Sequence, residues 1–263
     1  MSNRTDSNIY TIIFAVIMVF IVGALLAFTA SSLASKISEN QRIEKQQNIL
    51  YAMGINNNDE SSAVFVSTEQ APEDFSKYIK EQIVITVDAN GKILKTQTGD
   101  EYVAEYKKEP YLIDIKKQKS NAAAGEPRQL PLFIGEKDGK TFYVAPIYGK
   151  GLWDAIWGFV SMDENMVVQG AYFDHKGETP GLGANIKERF FMDDFKGEHL
   201  LNDAGVFKGI DVAKGNADPK NLDKTDNEVD AIAGATITGN GVTAMIKSDL
   251  KLYKPYFDKL KNK

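Results

Sequence analysis

An uncharged segment near the amino terminus constrains the fold of this chain more than any other feature. No Asp, Glu, Lys or Arg occurs from Ser7 to Ser35, and between Ile9 and Ala30 only two threonines and one glycine are not apolar. About 22 residues at ~1.5 Å per residue give a helix of ~33 Å, enough to cross the hydrocarbon core of a bilayer. A cleaved signal peptide is the alternative, with Ser32-Leu33-Ala34 as a weak cleavage site, but the apolar run is longer than a signal peptide usually carries. We therefore predict an uncleaved membrane anchor over residues 9–32.

The charges on either side of this anchor leave its orientation open. Arg4 precedes it, whereas Lys36, Arg42 and Lys45 follow it. A count of Lys and Arg alone would place the large domain in the cytoplasm, by a small margin. Around the anchor we predict a short tail over residues 1–8, a helical stalk over 33–55 and an α+β domain over 56–263.

The composition excludes several classes of protein. The chain has no cysteine, so it can hold no disulfide, cysteine-ligated iron–sulfur cluster, covalently attached haem or thiolate zinc site. Two histidines are too few for a histidine-rich metal cage, and we predict no metal site. A net charge of -5 disfavours a nucleic-acid partner. Any redox chemistry must therefore come from an organic cofactor or from other subunits.

Turn residues between short apolar runs predict a mixed α/β domain that contains three β-hairpins. Asn90-Gly91 and Asp138-Gly139 mark two of the turns, and residues 163–165 mark the third. The hairpins are predicted to join 83–87 to 93–94, 132–134 to 141–147, and 158–162 to 166–173. The other predicted elements are helices over 72–82 and 187–195, a strand over 206–212, a linker over 116–128, a loop over 215–228 and a last helix through 242–260 that Pro255 should kink or end.

Two glycine-containing segments have the composition of ligand-binding loops. In Gly149–Trp153, glycines precede a bulky aromatic residue, which suits a flat ligand, although a tight turn with a packed tryptophan is the more ordinary interpretation. In His175–Ala184, Gly181 and Gly183 would let the backbone approach a ligand closely. Within that second segment, the polar pair Glu178-Thr179 could orient a ring or a ribityl chain. An ordinary glycine-rich connection remains the alternative.

A third segment, Asp230–Thr238, lies just before the predicted last helix. Small residues at 233–235 leave Thr236 accessible. A threonine at a helix start is usually an N-cap. The same position suits a phosphate, because the free N–H groups and the dipole of a helix favour an anion there.

Together the three segments resemble the FMN-binding domain family. Asp230 and Gly234-Ala235-Thr236 are similar to its flavinylation motif, D-x-x-[ST]-G-A-[ST], whose last hydroxyl carries FMN through a phosphoester bond. The runs Glu178–Gly183 and Gly151–Trp153 are also similar to the family and occur in its order. With the anchor and this length, the chain resembles the C subunits of sodium-translocating NADH:quinone oxidoreductases. The related G subunits of Rnf electron-transport complexes are the nearest alternative.

The resemblance implies an extracytoplasmic FMN-binding domain, at about residues 140–255, on a single-pass protein of the bacterial inner membrane. It implies one covalent FMN per chain, attached by a separate flavin transferase. It also implies electron relay between redox centres of neighbouring subunits, during NADH oxidation, quinone reduction and sodium export. No catalytic residue is expected, and the residues expected to bind the cofactor are Trp153, Glu178, Thr179, Gly181, Leu182, Gly183, Lys214, Asp230, Gly234, Ala235, Thr236 and Thr238.

The chain departs from the flavinylation motif at one position. Ala233 stands where the motif has its first hydroxyl residue. Thr238 is a hypothetical source of a replacement hydroxyl, and Lys214 is a candidate cation for the phosphate. A membrane-anchored sensor ectodomain without redox chemistry would explain the anchor, but it would not explain three flavin-type segments in order.

Overall fold

The computed structural model describes residues 7–60, 62–215, 218 and 220–261. They form two compact units, Met1–Arg42 and Ile43–Lys263. The first unit consists of most of one continuous helix, α1 (Asn8–Ala52). Within the described residues, α1 is the one helix long and apolar enough to cross a membrane, and its apolar stretch is exposed along its whole length.

The second unit contains the remaining elements. The further α-helices are α2 (Ala71–Tyr78), α3 (Gly99–Tyr106), α4 (Ile115–Ala123), α5 (Arg189–Met192), α6 (Thr236–Leu250) and α7 (Lys254–Lys261). The strands are β1 (Ile79–Val87), β2 (Ile93–Thr98), β3 (Arg128–Lys137), β4 (Lys140–Lys150), β5 (Ala155–Met162), β6 (Val168–His175), β7 (Asp211–Val212) and β8 (Glu228–Val229). Short 3-10 turns occupy Pro110–Leu112, Gly183–Lys187, Asp193–Phe195 and Lys251–Tyr253.

Six of these strands form one antiparallel sheet in the order β2-β1-β3-β4-β5-β6. The three predicted hairpins are present as β1–β2, β3–β4 and β5–β6. At the second turn Asp138 and Gly139 both have positive φ, 53° and 72°, which is the conformation that the twist of a tight hairpin requires. The other two strands, β7 and β8, form a small parallel pair.

The core of the second unit lies between this sheet and the helices that pack on it. Ile49 and Leu50 of α1 are fully buried in that core, so the segment predicted as a stalk ends inside the folded domain. Helix α6 packs directly on β4 because both elements carry glycine at the contact. A Cβ at Gly149 would lie 2.8 Å from Cβ of Met245, and a Cβ at Gly241 would overlap the carbonyl oxygen of Lys150.

Four predicted elements differ from the structure. The helix predicted over 72–82 ends at Tyr78, because Ile79 already has extended backbone angles and begins strand β1, which pairs with β3. The linker predicted over 116–128 is largely helix α4, which Asp114 caps by accepting a hydrogen bond from the Lys117 N–H. The remaining two lie in the C-terminal half of the domain.

The helix predicted over 187–195 is broken, because Glu188 has extended backbone angles between two short helical turns. Of the strand predicted over 206–212, Asp211–Val212 forms a strand and Phe207 forms an isolated bridge to Leu201, because Gly209 has a φ of 74° and interrupts an extended run. The expected break near Pro255 is present, as a 3-10 turn at Lys251–Tyr253 between α6 and α7.

Candidate functional site

The three segments singled out in the sequence meet around one buried carboxylate, that of Glu178. The first segment ends β4 and turns into β5, the second follows β6, and the third leads into α6. Oε1 of Glu178 accepts hydrogen bonds from the N–H groups of Trp153 (2.9 Å) and Asp154 (3.4 Å). Oε2 accepts one from the hydroxyl of Thr238 at 2.5 Å. A single side chain therefore joins all three segments.

The environment of Glu178 keeps it ionised. Its side chain is only 4% exposed, and this burial acts to raise its pKa. The Thr238 hydroxyl and the N–H groups of the 152–154 turn act in the opposite direction and prevail, so the pKa of Glu178 lies below its usual value. The junction is therefore held by charge-assisted hydrogen bonds.

Two of the glycines near the site are required by Glu178 itself. A Cβ at Gly151 would lie 2.6 Å from Oε1, and a Cβ at Gly183 would lie 2.5 Å from both Oε2 and the Thr238 oxygen. The sequence suggested that Gly183 makes room for a ligand, whereas the structure fills that space with the protein's own side chains. Neither glycine was linked to Glu178 at the level of sequence.

The Thr179–Leu182 segment forms a tight turn on the outer side of this junction. The Leu182 N–H bonds to the Thr179 carbonyl at 3.1 Å, with Pro180 second and Gly181 third in the turn. Gly181 has a φ of 76°, as a type II turn requires at that position, and no atom lies near the place of its missing Cβ. This glycine therefore sets the shape of the turn and leaves its outer surface open.

Thr236 is the first residue of α6 and is exposed. The N-cap position belongs to Ala235, so the interpretation of Thr236 as a capping residue is wrong. The first hydrogen bond of the helix runs from the Gly239 N–H to the Ala235 carbonyl, which leaves the N–H groups before it without helical partners. An exposed hydroxyl therefore lies beside free N–H groups at the positive end of a helix dipole, where a phosphate is stabilised.

Thr238, two residues further along α6, faces the interior. It is 1% exposed, and its hydroxyl is committed to Glu178. The hypothesis that this hydroxyl replaces the one missing at Ala233 is therefore not supported by its position.

Apolar side chains flank Thr236 on the exposed side. Trp153 is 66% exposed, and its indole N–H donates to the Thr179 hydroxyl oxygen at 3.1 Å. Leu182 packs against Gly234, where a Cβ would lie 2.8 Å from its methyl group. Ile237 is also largely exposed. The Leu182 contact places the Thr179–Leu182 turn near the start of α6, and the hydrogen bond to Thr179 attaches Trp153 to that turn.

The two other predicted residues lie at the edge of the site. The Ala231 N–H donates to the Gly215 carbonyl at 3.2 Å, which brings the backbone of Lys214 close to that of Asp230. Lys214 is exposed and Asp230 is half-buried. His175, at the end of β6, accepts a hydrogen bond from the Glu178 N–H at 3.2 Å and so stabilises the turn that follows β6. Among the described residues, no cluster of three or more His, Asp or Glu could hold a metal ion.

Taken together, the site offers a hydroxyl acceptor, N–H groups for a phosphate and an apolar rim for a flat ring. These are the groups that a covalently attached flavin nucleotide needs, and residues 151–251 match the model of the FMN-binding domain family. The chain is thus a flavoprotein that contains an FMN-binding domain.

Similarity over nearly the full length identifies the family more closely. A crystal structure of the C subunit of Na(+)-translocating NADH-quinone reductase from Parabacteroides distasonis is 31% identical, with a TM-score of 0.66, and the match covers 86% of this chain and 96% of that one. NqrC from Shewanella oneidensis, 24% identical with a TM-score of 0.58, shares the fold over 85% of this chain and 99% of its own. The C subunit from Yersinia pestis is 29% identical over 91% of this chain and 87% of its own length. The chain belongs to the NqrC family, the C subunits of Na(+)-translocating NADH-quinone reductases.

Proposed function

We propose that this chain carries one FMN covalently on Thr236 and relays electrons between neighbouring subunits of a sodium-translocating NADH-quinone reductase. The observation that carries the proposal is the exposed Thr236 hydroxyl at the free N-terminus of α6, within the segment that resembles the flavinylation motif. Relatives over about nine-tenths of the chain are named as the C subunit of this oxidoreductase. The same relatives favour this family over the G subunits of Rnf complexes and over a sensor ectodomain.

Attachment requires a second protein. The Thr236 oxygen would form a bond to the phosphorus of the FMN half of FAD. The pyrophosphate bond of FAD would break, and the other half would leave as AMP. The hydroxyl proton needs a base and the phosphates need a metal ion. The described residues include no cluster that could hold a metal ion, so we assign the metal and the base to a flavin transferase.

The bound cofactor would be held by groups already in place. The phosphodiester keeps one negative charge, which the N–H groups of the first turn of α6 would stabilise, with Lys214 as a further cation. Trp153, Leu182 and Thr179 would border the isoalloxazine ring or the ribityl chain of the flavin. The backbone around them is shaped by Gly181, Gly183, Gly234 and Ala235.

Glu178 and Thr238 would support the cofactor indirectly, because their hydrogen bond fixes that backbone from beneath. The flavin supplies the electron chemistry, and the protein sets its position and surroundings.

The proposal also assigns a location. Helix α1 would anchor the chain in the bacterial inner membrane, with the flavin domain outside the cytoplasm. This orientation follows from the resemblance, because flavin transferases of that family act outside the cytoplasm. Charges around the helix leave the orientation open.

The test is fluorescence of the denatured chain. Produced together with a working flavin transferase, the chain should give a yellow-green band under ultraviolet light on an unstained denaturing gel. Thr236→Ala should give a dark band, and Thr236→Ser, which keeps the hydroxyl, should restore the fluorescence. Thr238→Ala should keep it, because that hydroxyl faces Glu178. A dark wild-type band, or a fluorescent Thr236→Ala band, would show that the assignment is wrong.

A further inference from the structure

A basic hollow lies along α6, next to Trp153 and the proposed flavin site. Its volume is about 770 Å³, within the range of binding pockets in proteins. Its walls come from α4, the end of β4, the start of β5 and one face of α6. We call it the basic pocket and define it by Lys116, Lys119, Tyr148, Lys150, Trp153 and Met245.

The floor of the basic pocket is apolar and is built largely from small residues. Gly149 and Gly241 face each other where α6 meets β4, and Ala244 and Met245 continue the helix face. This floor can accept the apolar part of an incoming chain, while its rim determines which charge that chain must carry.

The charge beneath the pocket is positive on balance. Asp249 is fully buried and is paired with two cations, Arg128 at 3.1 Å and Lys119 at 2.9 Å. It also accepts a hydrogen bond from the Tyr148 N–H at 2.8 Å. One carboxylate thus neutralises one of two cations, and a surplus positive charge remains at the base of the wall.

The rim adds further positive charge. The one acidic residue in the lining, Asp154, forms an ion pair with Lys176 at 3.1 Å. Lys116 and Lys150 are exposed, and neither forms an ion pair with another described residue. The basic pocket therefore carries a local excess of positive charge in a chain whose net charge is -5.

Trp153 connects this pocket to the proposed flavin site. Its side chain lines the basic pocket, while its indole N–H bonds to Thr179 in the turn beside Thr236. A partner seated in the pocket would therefore contact a residue that borders the flavin.

We propose that the basic pocket docks an acidic segment of a neighbouring subunit of the complex, with apolar residues of that segment on the pocket floor. Charge complementarity selects an acidic partner, because complementary charges steer association and fix its register. The functional value of this position rests on the proposed flavin at Thr236, whereas the docking itself does not.

Zero-length cross-linking of the assembled complex tests the proposal. A carbodiimide joins lysine amines to carboxylates that are already in contact, and peptide mass spectrometry then identifies the pairs. We expect Lys116 or Lys150 to be cross-linked to an Asp or Glu of another subunit. If these lysines join only carboxylates of their own chain, or none, the proposal is wrong.

Charge reversal gives the functional readout. In the intact complex, Lys116→Glu with Lys150→Glu should slow the NADH-driven reduction of the covalent flavin at least about tenfold at low salt, and should reduce the dependence of that rate on ionic strength. The matched control is Lys259→Glu with Lys261→Glu, two exposed lysines of α7 with the same change in charge. A rate within about twofold of that control would overturn the proposal.

Two further measurements separate the alternatives. Fluorescence of the denatured chain reports flavin attachment, which both double variants should retain, so a loss of docking is distinguishable from a failure of the proposed function. Vesicles of phosphatidylglycerol and of phosphatidylcholine test a lipid surface as the occupant. Binding of the full chain to the anionic vesicles that the Lys116/Lys150 variant abolishes would assign the pocket to lipid and overturn docking of a subunit.

Discussion

Two buried glutamates of this domain differ in their hydrogen-bond partners and in the direction of their pKa shifts. Glu178, at the junction of the three site segments, accepts three hydrogen bonds, and its pKa is lowered. Glu198 is 0% exposed, but neither of its carboxylate oxygens accepts a well-directed hydrogen bond from the described residues. Its one close cation is Lys224, at 3.4 Å, and burial raises its pKa to about 7.

The difference lies in what each carboxylate contributes to the fold. Glu178 stabilises the site because it accepts from the buried Thr238 hydroxyl and from two partly buried N–H groups, which would lose their acceptor without it. Glu198 lies beside the loop that precedes the Asp230–Thr238 segment, and other side chains hold that loop in place. Asn221 and Lys224 donate to the Asp194 carbonyl at 2.6 and 2.8 Å, and Asn227 donates to the His199 carbonyl at 2.6 Å. A buried carboxylate therefore stabilises the fold only where it also has hydrogen-bond or ion-pair partners.

Removal of the Glu178 carboxylate should have the largest effect. Glu178→Ala leaves the donors of Trp153, Asp154 and Thr238 without their acceptor, and should lower the free energy of unfolding by about 3 kcal/mol in urea denaturation. Glu178→Gln keeps an acceptor of the same shape and should cost about 1 kcal/mol.

Glu126→Ala, at an exposed position outside the site, serves as the control and should change the free energy of unfolding by less than about 0.5 kcal/mol. If Glu178→Ala were as mild as this control, the carboxylate would not hold the three segments together.

The pH dependence contributed by Glu198 should be the next largest effect. Its pKa is about 7 in the folded chain, above the ordinary value of 4.5 expected in the unfolded chain. The folded state therefore holds this proton more tightly, and the free energy of unfolding falls as pH rises from about 4.5 through about 7. Glu198→Gln should remove about 2 kcal/mol of that fall between pH 5 and pH 8, as measured by urea unfolding at each pH.

Glu228→Gln, at an exposed position in β8, is the matched control and should leave the pH profile of the wild type unchanged. Identical pH profiles for the wild type and Glu198→Gln would mean that Glu198 is not buried as a weak acid.

The smallest effect is expected at the exposed edge of the Glu178 junction. Thr179→Val removes the acceptor of the Trp153 indole N–H, but water can replace it because Trp153 is 66% exposed. The free energy of unfolding should change by less than about 0.5 kcal/mol, and Thr179→Ser should match the wild type. A loss above about 1.5 kcal/mol would show that the edge of the junction matters as much as its buried centre.

Features that depend only on neighbouring residues could be predicted from the sequence. Asn90-Gly91 and Asp138-Gly139 marked hairpins because the required turn conformation is a property of those two residues. The linker prediction over 116–128 failed because the cap that starts α4, Asp114, lies just outside that segment. The segments of the candidate site were also visible, since each one is continuous in sequence.

What joins the segments could not be predicted from the sequence. The partners of Glu178 lie 25 and 60 residues away, and Asp249 pairs with Arg128 across 121 residues. Such pairs follow from the register of β4 and from the packing of α6, which no local pattern encodes. The glycines at 151 and 183 were noted as features of a loop, and only the folded structure shows that a carboxylate fills their space.

The packing of α6 on β4 has a consequence for the order in which the domain is assembled during synthesis. All six strands of the large sheet end by His175, whereas α6 begins at Thr236. The sheet can therefore pair while the ribosome is still making the C-terminal third, and Glu178 must wait for Thr238 before its last partner arrives. A nascent chain that ends before α6 could form the sheet but would lack Thr236, the proposed acceptor of the flavin. Helix α6 thus completes the place where modification would occur, and α7 follows it to complete the fold.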